Sequence, residues 1–301
     1  MMVSYPQVKV NILKTWVLMA LFLGLVILLG WFLSYYFNSP QILWWALIFS
    51  LVLNFLSYWY SDKIVLKMSK AKPAKPEEFP ELYQIVKELT QKAKLPMPRI
   101  YIVPESAPNA FATGRNPKNA AVAVTEGLLR KLNRSELEGV IAHELSHIGN
   151  RDILLQTVVV VLVGLVVIVS DMFLRMAFWG RIRRSEREVD QLGAVLMILG
   201  LIFVLLAPIV AQLIHFAISR KREFLADASG ALLTRSPESL AGALEKIAKD
   251  PIPLRSASNA TAHLYIANPF KGRQKRSWLT KLFMTHPPVE ERIRALKSLK
   301  I

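Results

Sequence analysis

The sequence predicts a mainly α (α+β) protein: a helical membrane bundle of about four transmembrane segments, with a cytosolic domain that contains a small β-sheet. Three observations predict it. Hydrophobic residues make up 53% of the 301-residue chain, and the excess over ordinary soluble domains is gathered into a few long runs. Short β-rich stretches alternate with amphipathic helical ones between the second and third runs. Lysines crowd one flank of the first two runs, which sets the side of the membrane.

The first apolar run extends from Trp16 to Phe37. At 1.5 Å per residue, about 22 residues cross a ~30 Å hydrocarbon core. The run ends in Tyr35, Tyr36 and Phe37 rather than a small-x-small cleavage site, so it reads as a retained span. Asn38, Ser39 and Pro40 make a tight turn into a second run, Ile42 to Tyr60, with Trp44, Trp45, Tyr58 and Trp59 near its ends, where interfacial aromatics belong. Lys9 and Lys14 precede this hairpin, and Lys63, Lys67, Lys70, Lys72 and Lys75 follow it, while its turn carries no cation. The positive-inside rule places the N-terminus and the chain after Asp62 in the cytosol.

Pro73 to Pro80 reads as a linker, and Glu81 to Lys94 as a helix through Leu82, Ile85, Val86 and Leu89. Arg99 to Val103 and Asn119 to Thr125 read as strands, with Asn109 to Gly114 between them as a loop or an edge strand. The next helix begins near Asn133, where Asn133 with Glu136 and Ser135 with Glu138 both have capping-box spacing. Nothing in the sequence stops this helix before a third apolar run, Ile153 to about Leu174. A fourth run follows from Leu192 to Ile218, with a kink expected at Pro208. The segment joining them carries Arg175, Arg181, Arg183, Arg184 and Arg187, at odds with an external loop; the hairpin either spans against the rule or enters the membrane only partly, and spanning is preferred because each run is long enough. The expected organisation is an N-terminal transmembrane hairpin (1–62), the first part of the cytosolic domain (63–152), a second hydrophobic hairpin (153–218) and the rest of that domain (219–301).

The chain has no cysteine, which excludes a thiol nucleophile, a disulfide framework and Cys-ligated zinc. Its formal net charge of +16 comes without a nucleic-acid motif or a stacking platform, so the charge is assigned to the bilayer surface and no nucleic-acid partner is expected.

His143-Glu144-Leu145-Ser146-His147 fits H-E-x-x-H. Four residues is about one helical turn, so both imidazoles project from one face and can share a metal, with zinc favoured. Glu144 lies beside them, placed to take a proton from an attacking water and pass it to a leaving amine. A solvated amphipathic helix can carry two histidines by chance. Here a cap, an apolar face and the presence of only five histidines in the chain favour the metal. The metzincin extension is excluded, because Asn150 and Ile153 stand where glycine and histidine are required. A third ligand is sought among Glu223, Asp227, His215, His263 and His286. His215 lies roughly 12 Å further along its helix, towards the membrane, and reads as a bundle-facing polar residue. Glu223 and Asp227 are one turn apart, and spacing alone leaves open which of them binds metal.

His143 to His147, the Glu223-x-x-x-Asp227 pair, Asn109-Ala-Phe-Ala-Thr-Gly114 and Thr285-His286-Pro287 occur in the order found in HtpX-type membrane metalloproteases, relatives of the CAAX prenyl protease. The resemblance covers nearly the whole chain. It implies a zincin-like metalloprotease domain with one Zn2+ held by His143, His147 and Glu223, Glu144 as general base, and Asp227 orienting a ligand histidine. It also implies that Asn109, Ala110 and Phe111 belong to an edge strand on which a substrate peptide lies extended. His286 would help hold the substrate or the developing oxyanion; without the resemblance it reads as a helix-start residue before Pro287 and Pro288.

His147 and Glu223 each lie within roughly 10 Å of an apolar run, which puts the metal near the cytosolic membrane surface. The resemblance suggests misfolded or damaged membrane proteins as substrates, at the cytoplasmic (inner) membrane. No phosphate-binding loop is present to couple ATP hydrolysis to unfolding. Two other readings are a processing protease for one lipidated or signal-type peptide and a non-enzymatic scaffold with a closed structural metal site. The intact Glu144 beside a three-ligand set argues against the scaffold.

Overall fold

The computed structural model describes residues 5–162, 164, 220–258, 261–271 and 287–299. Helices α1 (Val8–Tyr36) and α2 (Gln41–Trp59) form the expected hairpin. Both are long and apolar enough to cross a membrane, yet only 22% and 17% of their apolar windows are buried within the protein. Trp16, Trp31, Trp44, Trp45 and Phe55 are exposed, an apolar surface that suits lipid and not water. Gly30 lets the two helices close together, since a Cβ there would lie 2.4 Å from that of Ala46.

Helix α3 (Ser61–Met68) leads into a four-stranded mixed sheet. Its strands are β1 (Lys72–Pro73), β2 (Arg99–Val103), β3 (Ala110–Gly114) and β4 (Ala120–Thr125), in the order β1-β2-β4-β3. Strands β2 and β4 run parallel, with Ile100 opposite Val122, and β3 pairs antiparallel to β4, with Ala112 opposite Val122. Asn109–Gly114 is thus resolved in favour of an edge strand, Ala110–Gly114. The expected linker at Pro73 instead starts as strand: Lys72 and Pro73 pair with Ile102 and Tyr101, at an edge where a proline's missing N–H is tolerated.

The sheet is buried on both faces. Val122, Val124, Ala110 and Ala112 point to a core shared with α4 (Pro80–Ala93), α6 (Arg134–Gly149) and α9 (Pro237–Lys249). Ala121, Ala123 and Phe111 point the other way, against Val65 and Leu66 of α3, Val160 and Tyr265. That alternation explains why β4 reads as a continuous small apolar run. Helix α5 is Glu126–Lys131, α8 is Arg220–Thr234 and α10 is Val289–Lys297.

Contrary to the expectation from the sequence, the helix carrying H-E-x-x-H does not run on into the third apolar run. It ends at Gly149; Asn150 caps it, with Nδ2 donating to the Ser146 carbonyl, and Arg151 takes φ 61°. A separate helix, α7 (Asp152–Leu162), then begins. The break needs a left-handed residue that no glycine announces, which is why the sequence hides it. The remainder of the third run, the arginine-rich connection, the fourth run with Pro208 and His215, and His286 lie outside the described residues.

Candidate active site

The start of α6 is fixed by a reciprocal capping box. Asn133 Oδ1 accepts from Glu136 N at 2.9 Å, and Asn133 N donates to Glu136 Oε2 at 2.9 Å. The alternative box from Ser135 does not form, and its hydroxyl donates to Asn133 Oδ1. From this cap the helix carries His143, Glu144 and His147 to the middle of the protein, where they are 1%, 1% and 5% exposed. Helix α8 crosses it closely at Gly230, where a Cβ would meet the His143 backbone nitrogen at 3.0 Å, and so brings Glu223 to the two imidazoles.

His143 Nε2 and His147 Nε2 are 3.1 Å apart. Glu223 Oε2 lies 4.0 Å from the first and Glu223 Oε1 lies 3.6 Å from the second. Donors about 2.0–2.2 Å from a tetrahedral zinc are separated by about 3.4 Å, so these three fit one ion. They form the one group of metal-binding side chains found among the described residues, their ligand atoms within 4.8 Å of one another. Of the third-ligand candidates that lie among the described residues, Glu223 is the one grouped with the two imidazoles. Asp227 sits on the other side of His143, with Oδ1 2.9 Å from Nδ1. His263 stays out of the set, its Nε2 facing the Gln156 carbonyl at 3.3 Å.

Each histidine is backed by a carboxylate at its Nδ1. His147 Nδ1 donates to Asp152 Oδ2 at 2.8 Å and Asp227 Oδ1 lies 2.9 Å from His143 Nδ1, so that both Nε2 atoms face the shared point. Asp227 is in turn gripped by Arg292 of α10, fully buried, through Nε–Oδ2 at 2.8 Å and Nη2–Oδ1 at 2.7 Å. Arg292 Nη1 donates to the Ile266 carbonyl at 2.6 Å and lies 3.6 Å from Glu223 Oε2.

Burial alone would raise Asp227, but the charge and hydrogen bonds of Arg292, with that of His143, bring it down to about 2. Burial lowers His143 and outweighs its bond to Asp227, favouring the neutral form a metal requires. Burial also acts to lower His147, yet the hydrogen bond to Asp152 and the charges of Glu223, Asp152 and Glu144 raise it to about 9. Burial pushes Glu144 up to about 7, partly offset by the charges of His147 and Arg292 and a hydrogen bond from the Ala112 backbone. Glu144 Oε1 is buried without a hydrogen-bond partner among the described residues, an acceptor held for something else.

Asn109, Ala110 and Phe111 are each 1% exposed. Asn109 Nδ2 donates to the Ala267 carbonyl at 3.0 Å, the Ala110 carbonyl accepts from Ile266 N at 3.0 Å, and Phe111 packs edge-on to Tyr265. These three residues anchor the 265–267 segment, which closes the edge of β3 at Ala110. The groups turned away from β4 next come at Ala112, whose N–H faces Glu144.

Sequence reasoning missed Asp152 and Arg292. Asp152 is hidden by the helix break, because a continuous helix would carry it off the ligand face. Arg292 leaves a signal: it shares a stripe with Val289 and Leu296, an arginine on the apolar face of a short helix.

A family model described as Peptidase family M48 matches residues 76–300. The chain belongs to peptidase family M48. It is 49% identical over 297 residues to a protein named Protease HtpX homolog from Thermoanaerobacter pseudethanolicus, covering 96% of this chain and 95% of that one. A Protease HtpX homolog from Thermococcus sibiricus is 50% identical over 289 residues, with 95% of each chain covered. A crystal structure of S. mikatae Ste24p aligns with a TM-score of 0.48 at 17% identity, over 96% of this chain and 66% of that one. As an M48 peptidase of the HtpX type, the protein is a metalloprotease with zinc as cofactor and polypeptides as substrates.

Proposed function

We propose that this M48 peptidase is a multi-pass, integral-membrane endopeptidase that works at the cytosolic face of the cytoplasmic membrane, with zinc held by His143, His147 and Glu223. The observation that carries the reading is the buried three-donor set beside Glu144, whose Oε1 has no partner. Zinc bound there supplies Lewis-acid polarisation of the scissile carbonyl and makes water a competent nucleophile. Glu144 takes the proton of the attacking water on Oε1 and returns it to the leaving amine; a carboxyl raised to about 7 can do both near neutral pH. Asp152 and Asp227 keep the imidazoles turned to the metal, and Arg292 keeps Asp227 ionised.

The substrate lies extended along the edge strand that carries Asn109, Ala110 and Phe111, whose continuation passes Glu144 at Ala112. Arg115, which follows, stacks over the Trp59 ring at 4.4 Å, tying this edge to the end of α2. A site beside the interfacial end of a membrane helix suits chains that emerge from the bilayer, and supports misfolded or damaged membrane proteins as substrates. The sequence carries no phosphate loop, which supports action without ATP. His286, which falls outside the described residues, is retained as the proposed oxyanion or substrate contact.

The test is Glu144→Gln. The variant is expected to bind zinc as the wild type does while losing at least about 100-fold in cleavage of an unfolded membrane protein, the scale of a lost general base. Equal cleavage by both proteins refutes the mechanism. A single cleavage motif across several membrane substrates refutes the quality-control role in favour of dedicated processing.

A further inference from the structure

The cytosolic end of α1 is built into the metal centre. The Tyr5 ring lies against Gly149 at the end of the zinc helix, where a Cβ would come within 2.0 Å of it, and Tyr5 Oη donates to the Ala93 carbonyl. Gln7 N faces Asn150 Oδ1 at 3.4 Å. One turn on, Asn11 is fully buried and every hydrogen-bonding side-chain atom is used. Its Nδ2 donates to the Asn150 carbonyl at 2.9 Å and to Asp152 Oδ1 at 2.7 Å, and its Oδ1 accepts from Arg222 Nη1 at 2.9 Å. Arg222 Nη1 also reaches Asp152 Oδ1 at 3.3 Å. The other oxygen of Asp152 receives His147 Nδ1.

Asp152 is thus clamped at both ends, by the imidazole on Oδ2 and by Asn11 and Arg222 on Oδ1. The residue that makes this possible is the left-handed Arg151, which turns the start of α7 back towards His147. An imidazole keeps its metal-binding direction only as well as the carboxylate behind it is held, and Asp152 is held across 141 residues of sequence by a membrane helix.

We propose that Asn11 is a positioning residue for the zinc site: by fixing Asp152 it fixes the direction and tautomer of His147, so that seating of the first membrane helix and zinc affinity are coupled. This rests on the reading of His147 as a zinc ligand. Asn11 itself touches neither metal nor substrate.

The experiment measures zinc affinity of the full-length protein in detergent micelles by competition with a chromophoric chelator, alongside the melting temperature of the zinc-free form. Asn11→Ala is expected to weaken zinc binding about 5- to 10-fold, and Asp152→Asn about 10- to 100-fold, the usual range for the partner of a ligand histidine. The double variant is expected to bind within twofold of Asp152→Asn alone, because both act on one path. Leu18→Ala, a buried change on the same helix, is expected to lower the melting temperature and leave zinc affinity within twofold. Asn11→Asp keeps the shape and the acceptor for Arg222 while losing the donor to Asp152, and carries the test where Asn11→Ala does not fold. Zinc affinity within twofold of wild type in the Asn11 variants, full additivity with Asp152→Asn, or equal weakening by Leu18→Ala each overturns the proposal. His147→Ala separates the two readings: if it binds zinc like the wild type, the ligand assignment fails, whatever Asn11 does.

Discussion

Replacing Arg292 by leucine removes three hydrogen bonds at once, two to the Asp227 carboxylate and one to the Ile266 carbonyl, all formed where nothing is exposed. Asp227, 2% exposed, would be left beside the His143 imidazole, whose burial favours its neutral form. Breaking one side of a buried, bidentate ion pair costs about 3–5 kcal/mol, because the stranded charge loses its partner without regaining water. For a folded region of this size, about 2–4 °C per kcal/mol, that is a fall of roughly 6–20 °C in Tm. The assay is thermal unfolding of the zinc-free protein in detergent, followed by circular dichroism, so that metal affinity does not enter. Two further variants establish the cause. Arg292→Leu with Asp227→Asn should recover at least half of the loss, since the stranded charge is gone. Arg292→Lys should fall between, because an ammonium offers a point charge where the site is built for a fork. A change of less than about 1 kcal/mol for Arg292→Leu, or no recovery in the double variant, refutes the reasoning.

Three other outcomes can be checked in the same way. Gly139→Ala places a Cβ 2.8 Å from Leu240 N and 2.9 Å from its Cα, so α6 and α9 must move apart; the expected loss is about 1–3 kcal/mol by denaturant unfolding, and neutrality would show that the contact is soft. Asn133→Ala removes the Oδ1 acceptor of the capping box and should cost about 1 kcal/mol, with zinc stoichiometry unchanged by metal analysis. Asp227 is held at about 2 when folded against 3.8 for the free side chain, so its stabilisation is complete above pH 4 and fades as the pH falls towards 2. Across that window the wild type should lose about 2 kcal/mol more than Asp227→Asn, measured as the difference between their acid-unfolding curves.

Much of this protein is visible in local pattern. Two apolar runs of spanning length, the Asn133–Glu136 cap and the short apolar run of β4 each depend on neighbours within a turn or a strand. The same holds for the metal helix: one turn puts His143 and His147 on a common face wherever the helix forms. Glu223 and Asp227 stood in the sequence as a pair of candidates. Spacing left their roles open and the family resemblance separated them; α8 laid across α6 at Gly230 puts Glu223 near the Nε2 atoms and Asp227 behind His143, in keeping with that division. The edge strand was visible as a segment, but the closure of its first residues by Ile266 and Ala267 was not.

The residues that hold the ligands are distant in the chain or follow an unannounced turn. Arg292 meets Asp227 across 65 residues and Asn11 meets Asp152 across 141, separations that no periodicity encodes. Asp152 is only five residues from His147, yet it reaches back because Arg151 adopts φ 61°, against its intrinsic preference and under tertiary constraint. The sequence by itself determined the chemistry, since a pair of histidines and a glutamate within one helical turn is a local matter. Tertiary structure alone decided what keeps that chemistry in register, because a buried carboxylate is held by whichever donors the fold brings to it.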